Sequence, residues 1–423
     1  MTKHAEMSRG SMAIAAFSTV VEWYDFTAYL YFATVLARVF YGGGTAALVT
    51  TLGGFAIAYL MRPLGAVFFG QFGDRLGRRR MMLLSVAVMT LTMLATALLP
   101  THAQIGAIAG GLLFALRCIM GFSVGGEYNG VVAYLLEGAA PGRRGLIASL
   151  ASAASEIGAL LAAGVAFLTV RNLSPAALDD WGWRIPFLVG TALAASVWVA
   201  RAWMQESPDF RRQQESGTVP PEPLRHVLTH HRIGIARSFA ISALGSITYY
   251  VGITYVPAYL GTTGALSESQ ALQLSTLAAF AVILVTPLTG ALTDRIGRKP
   301  VLLALVGVNA LLPITMFHLM AGGDYRHALA GALVLAAAAG AVSAVGAVAT
   351  AEQFPGEGRL SGLALGSTMA TAIFGGAMPY VAQRLMQATG SPLVPGIMIA
   401  VVALCVLPVL LRAPETLPAR EGA

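Results

Sequence analysis

Roughly twelve apolar runs, each near the ~20 residues that cross a hydrocarbon core as α-helix, leave this chain almost no choice but a bundle of membrane-spanning helices. They fall at 12–38, 48–71, 81–99, 104–136, 146–171, 185–204, 237–261, 270–293, 300–321, 328–353, 360–388 and 392–412. A soluble domain is excluded: 56% hydrophobic residues, 11% charged residues and a mean hydropathy of +0.70 leave more apolar surface than one core can bury. A second feature sorts the runs into two sets. Gly70-Gln71-Phe72-Gly73-Asp74-Arg75-Leu76-Gly77-Arg78-Arg79-Arg80, after the second run, recurs as Gly290-Ala291-Leu292-Thr293-Asp294-Arg295-Ile296-Gly297-Arg298-Lys299-Pro300, after the eighth. A basic turn duplicated at matching places predicts an all-α membrane protein of twelve transmembrane helices in two pseudo-symmetric six-helix bundles.

Positive charge orients the bundle, because Lys and Arg near helix ends stay on the cytoplasmic side. Lys3 and Arg9 precede the first run, Arg75, Arg78, Arg79 and Arg80 follow the second, and Arg143 and Arg144 follow the fourth. Arg211, Arg212, Arg225, Arg232 and Arg237 fill the central linker, Arg295, Arg298 and Lys299 follow the eighth run, and Arg412 and Arg420 follow the last. On the opposite side Arg171, Arg184 and Arg326 are the exceptions. Both termini are expected in the cytoplasm, and the net charge of +7 follows from topology, with no nucleic-acid partner implied. Cys118 and Cys405 fall in opposite halves inside apolar runs, which suits isolated thiols rather than a disulfide or metal site. The first run is too long for a cleavable leader. The polar interruption with Pro220, Pro221 and Pro223 sets the domain boundaries: an N-terminal six-helix bundle at 1–204, a cytoplasmic linker at 205–236 bearing short surface helices, and a C-terminal bundle at 237–423 with a short tail. No coiled-coil tail is expected after Arg412.

The duplicated turn resembles the signature of the major facilitator superfamily. Further strings resemble its metabolite:proton symporter branch, which carries citrate, 2-oxoglutarate, shikimate and proline or betaine. They are Val21-Glu22-Trp23-Tyr24-Asp25-Phe26, Met61-Arg62-Pro63-Leu64-Gly65, Arg117 through Tyr128, Trp181-Gly182-Trp183-Arg184-Ile185-Pro186-Phe187 and Phe374-Gly375-Gly376-Ala377-Met378-Pro379. The resemblance covers nearly the whole chain and implies the major facilitator fold, a bacterial inner-membrane location and proton coupling through acidic residues in the first span and an arginine in the fourth.

Physical reading of the residues proceeds beside that resemblance. Asp74 and Asp294 sit where a helix yields to a glycine-bearing turn, positioned to accept hydrogen bonds at a neighbouring helix N-terminus and to pair with arginines. Gly70, Asp74, Arg75, Gly77, Arg78, Asp294, Arg295, Gly297, Arg298 and Glu352 are therefore the expected cytoplasmic gate; the bland alternative is that such turns only satisfy the positive-inside rule. Within the apolar runs each ionisable residue costs about 2.5–3.5 kcal/mol on insertion scales and needs a partner, an aqueous cavity or a function. The first half holds Glu22 and Asp25 on one helix face, with Arg62, Arg117, Glu127 and Glu156. Four carboxylates against two guanidiniums leave an acidic surplus suited to carrying protons. Asp25, with Glu22, is the first choice for the proton site, Glu127 and Glu156 are further candidates, and Arg117 or Arg62 is the cation that alternates between carboxylate and anionic solute. The bland reading pairs Arg62 permanently with Asp25 or Glu22, and Arg117 with Glu127, as glue between helices. Glu127 also fits a gate position near the end of a long fourth helix. Glu156 stands where the resemblance implies a neutral polar residue, about 17 Å into its span. Tyr24, Tyr29, Asn129, Tyr250 and Thr371 are the expected aromatic and hydroxyl wall for the solute, and Gly376 with Pro379 the expected hinge of the eleventh helix.

No enzyme is implied: a phosphate-cradling Gly-x-x-x-x-Gly-Lys loop, His-rich metal spacing and a nucleotide-sized cytosolic segment are all lacking. The expected function is a symporter, working as a monomer without cofactor or metal, that imports a small organic acid, a di- or tricarboxylate, with protons by alternating access. A carrier of a zwitterion such as proline or betaine is the nearest alternative. A proton-driven exporter of a drug or siderophore is a third, disfavoured because the fifth span lacks a Gly-Pro motif.

Overall fold

A computed structural model describes residues 7–262, 266, 268–322 and 324–417; Lys3 and Arg420 lie outside them. Twelve helical crossings follow one another. In the first half they are α1 (Arg9–Tyr31, continued by Ala33–Tyr41), α2 (Thr45–Tyr59 and Met61–Leu76), α3 (Arg78–Leu98), α4 (Ile108–Val124 and Glu127–Gly138), α5 (Arg144–Asn172) and α6 (Arg184–Ala202). In the second half they are α7 (Arg232–Tyr249, a widened stretch Tyr250–Thr254, then Val256–Thr262), α8 (Glu268–Ile296), α9 (Arg298–Met320), α10 (Tyr325–Ala351), α11 (from Arg359–Leu363 to Met378–Thr389) and α12 (Val394–Leu411). Among the described residues ten of the twelve are long and apolar enough to cross a membrane; α1, which carries Glu22 and Asp25, and the broken α7 complete the set. Two short helices, Pro208–Ser216 and Pro223–His230, lie between α6 and α7.

Lipid is as apolar as a helix interface, so close packing rather than hydrophobicity holds such helices together, and small residues allow it. At the α2–α4 crossing a Cβ on Gly65 would stand 1.7 Å from the carbonyl oxygen of Phe122, and one on Gly125 2.1 Å from that of Arg62. The fourth crossing is not one continuous helix. It turns at Gly125-Gly126, where the α2 backbone at Arg62 and the Phe69 side chain leave no room for side chains, and resumes at Glu127.

Candidate functional site: a central cavity above two latches

The two basic turns meet the opposite half of the molecule. Asp74, at the end of α2, accepts backbone N–H bonds from Leu360 (3.2 Å) and Ser361 (2.8 Å) at the start of α11. Asp294, at the end of α8, accepts them from Gly145 (2.8 Å) and Leu146 (2.9 Å) at the start of α5. Each carboxylate thus neutralises the positive end of a helix dipole in the other half. Behind each lies an arginine one turn on: Arg78 is 3.1 Å from Asp74 and Arg298 is 3.2 Å from Asp294. Arg78 and Arg298 can fold back because Gly77 and Gly297 adopt φ of 110° and 104°, which end the preceding helix and aim the next one away. Gly70 lets α2 approach α11 closely, a Cβ there standing 3.1 Å from the Leu360 carbonyl oxygen. Arg75 and Arg295 correct the expected gate set: next to the aspartates on a helix, they are turned about 100° away, are exposed, and join neither latch.

The sequence reading missed further members. Glu137, at the end of α4, holds Arg78 (3.1 Å) and, from the other half, Arg359 (2.6 Å). Its counterpart Glu352 holds Arg298 at 3.1 Å. The repeat contained the signal, because Glu137 precedes Arg144 at the same spacing as Glu352 precedes Arg359. Glu206 accepts the backbone N–H groups of Arg78 and Arg79, and Glu415 those of Arg298 and Lys299, so a carboxylate just past each half caps its third helix. Burial pushes the Glu206 carboxyl up despite these donors. At Glu415 burial is outweighed by the backbone N–H groups of Leu417, Arg298, Lys299 and Thr416, and the carboxyl lies below its usual range.

Above the latches a cavity of about 160 Å³ opens between the halves. Glu22, Trp23, Tyr59, Arg62, Asn129 and Glu156 line it from the first half, and Tyr249, Tyr250, Ser246, Thr368 and Thr371 from the second. Arg62 lies 3.2 Å from Glu22 and 4.5 Å from the centre of the Tyr59 ring. Asn129 donates to the Thr368 hydroxyl at 2.7 Å across the halves, and Ser246 donates to Thr371 at 3.0 Å. Glu156 is nearly fully buried, and its described partner is the Tyr249 hydroxyl, which donates at 2.5 Å. Two hydrogen-bonding atoms on this wall remain unpartnered, Glu22 Oε2 and Trp23 Nε1.

Five expected site residues stand elsewhere. Asp25 and Arg117 form a buried ion pair at 2.7 Å that lines a separate pocket of about 30 Å³ behind the cavity wall, so Arg117 does not face the central site. Arg117 is steadied by Thr96 Oγ1 at 3.2 Å and by the rings of Tyr29 and Phe187. Tyr24 and Tyr29 are sealed inside the first half, donating to the carbonyls of Pro186 (2.9 Å) and Thr51 (3.2 Å), because the face of α1 they occupy turns toward neighbouring helices. Glu127 is off the wall too. Its partner is Arg201, not Arg117, with Ser85 donating at 2.8 Å. Arg201 was absent from the sequence-based set because its place at the end of α6 looks like an ordinary cytoplasmic-side arginine. Its side chain is fully buried and also bonds Ser18 and the Met82 carbonyl. With Arg201 counted, three of the four carboxylates have a guanidinium, and the acidic surplus reduces to Glu156 alone.

The chain is 34% identical to the alpha-ketoglutarate permease of Escherichia coli K12, over 88% of this chain and 86% of the relative. It is 32% identical to the ectoine/proline transporter ProP of Corynebacterium glutamicum (90% and 78%) and 30% identical to a citrate-proton symporter of Klebsiella pneumoniae (91% and 87%). The chain belongs to the major facilitator superfamily. Residues 11–218 match the family model described as sugar (and other) transporter, and residues 260–423 the one described as Major Facilitator Superfamily. Its fold superposes on the proton:xylose symporter XylE with a TM-score of 0.78 at 21% identity, covering 96% of each chain. Within the superfamily it falls in the metabolite:proton symporter branch, a group of proton-coupled, multi-pass transporters of the bacterial cell membrane and not enzymes.

Proposed function

We propose that this chain imports a small solute bearing one carboxylate together with a proton across the bacterial inner membrane, its termini and latches facing the cytoplasm. The observation that carries this reading is the charge layout of the cavity: a Glu22–Arg62 pair on one wall and Glu156, without a cation, on another. A guanidinium held by one carboxylate exchanges partners at little cost when that carboxylate takes a proton, since the incoming anion supplies the charge it loses. A proton entering the Glu22–Asp25 cluster therefore frees Arg62 for the solute. Asp25, with Arg117 behind the wall, acts as the inner member of that cluster, and the proton is the coupling ion.

Between the two solute classes, the wall favours a zwitterion over a di- or tricarboxylate. Arg62 can satisfy one carboxylate, whereas a second would meet Glu156. An ammonium group would instead meet Glu156 with the faces of Trp23, Tyr249 and Tyr250 around it, the combination that stabilises a desolvated cation. The volume of about 160 Å³ is below the range of drug-sized sites, which suits a small metabolite. The test is solute-induced alkalinisation outside energy-depleted cells expressing the chain, scanned over proline, betaine, di- and tricarboxylates. Alkalinisation by zwitterions alone is expected. A response confined to tricarboxylates would overturn the solute class, and silence throughout would shift the reading to proton-driven export.

A further inference from the structure

The halves meet a second time at the end of the cavity away from the latches. Tyr59 Oη lies 2.5 Å from Tyr250 Oη, and the two rings meet edge to face with centroids 6.1 Å apart. This contact is about four helical turns from Asp74 along α2, whereas Glu156 is about three turns from Gly145 along α5. The tyrosine pair therefore lies beyond the cavity's charged residues, opposite the latches.

All three helices that build the contact depart from regular α geometry there, and a proline accounts for each departure. Pro63, Pro257 and Pro379 lack the N–H that would bond the carbonyls of Tyr59, Ile253 and Gly375, four residues earlier. Accordingly α2 breaks at Leu60, α7 widens over Tyr250–Thr254, and α11 widens over Ala372–Ala377. Widened turns of this kind are where helices bend. Gly375 and Gly376 seat the two rings: a Cβ at 375 would stand 2.8 Å from the Tyr250 ring, and one at 376 would stand 3.1 Å from the Tyr59 ring. Arg62 then connects the pair to the carboxylate below, being 3.2 Å from Glu22 and stacked on the Tyr59 ring at 4.5 Å.

We propose that Tyr59 and Tyr250 form the gate on the outer side of the cavity, and that Arg62 ties its opening to the proton on Glu22. The link to the proton rests on the symport reading above. With Glu22 ionised, Arg62 is held between that carboxylate and the Tyr59 ring, which aims the Tyr59 hydroxyl at Tyr250. A proton arriving from the outer water forms an O–H on Glu22 and removes the anion that holds Arg62. The guanidinium leaves the ring, Tyr59 swings about the break at Leu60, and the entering solute carboxylate meets the freed cation.

The test uses the full chain with Cys118→Ser, Cys405→Ser and Ser155→Cys, the last a cavity-lining position. It is reconstituted right-side-out, without solute or gradient, and alkylated by a membrane-impermeant maleimide. Tyr59→Phe is expected to raise the alkylation rate roughly two- to tenfold, the equivalent of one hydrogen bond. Tyr250→Phe, which removes the same bond from the other half, reproduces the increase. Glu22→Gln also raises the rate, and Tyr59→Phe adds nothing in that background. Unchanged rates in both phenylalanine variants would overturn the gate. A Glu22→Gln effect that is absent, or that multiplies with Tyr59→Phe, would overturn the link through Arg62. Solute-driven proton uptake by the same vesicles reports separately: its absence with the rate changes intact overturns the symport reading and not the gate.

Discussion

Release of the latches is the perturbation whose size the structure specifies best. Asp74 and Asp294 each accept two backbone N–H bonds from the opposite half, at 2.8–3.2 Å, and Asp74 is fully buried, so solvent screening does not weaken it. Asparagine keeps one acceptor oxygen but places an NH2 group against the second N–H and removes the charge at the helix end. A hydrogen bond to a charged group contributes about 1.5–3 kcal/mol, and the helix-end charge about 0.5 kcal/mol more. Each variant should thus weaken its latch by about 2–3.5 kcal/mol, a roughly 30- to 300-fold change in the ratio of latched to released molecules at ~1.4 kcal/mol per decade. Because both latches restrain the same movement of one half against the other, the double variant should lose the sum, about 4–7 kcal/mol. The assay is alkylation of the Ser155→Cys reporter from the latch side in inside-out vesicles. Single variants that alkylate no faster than the parent, or a double variant no faster than either single, would refute the reasoning.

Glu156→Gln should lower zwitterion affinity at least tenfold by removing the carboxylate opposite Arg62, with little effect on binding of a plain monocarboxylate, measured by tryptophan fluorescence titration. Asp25→Asn should abolish uphill accumulation while solute exchange persists in part; full accumulation would remove Asp25 from the proton cluster. Arg201→Met leaves Glu127 buried and unpaired, which costs about 3–5 kcal/mol, and adding Glu127→Gln should recover most of the lost thermal stability in detergent. Gly65→Ala forces a Cβ onto the Phe122 carbonyl and should lower the melting temperature clearly, whereas alanine at Gly111, where nothing lies within 4 Å, should not.

What the sequence determined by itself is what the bilayer imposes along the chain. Hydrocarbon thickness sets run length, and a duplicated turn carries its symmetry openly, so the twelve crossings, the two halves and the latch aspartates were all legible before any contact was known. Even Glu137 was present in the repeat as the counterpart of Glu352. Tertiary structure alone decided which ionisable groups share a wall. Helices surrounded by lipid and by other helices are apolar on nearly every face, so their sequences hold little of the periodic signal that would tell which side turns inward. That rotation hides Tyr24 and Tyr29 inside the first half, moves Asp25 and Arg117 behind the cavity, and brings Arg201 from the end of α6 to Glu127. It also leaves Glu156 facing a phenol instead of a cation, and sets Tyr59, nearly two hundred residues away in sequence, against Tyr250. Charge within one helix can be counted from the sequence, but its compensation depends on the neighbour that packing provides.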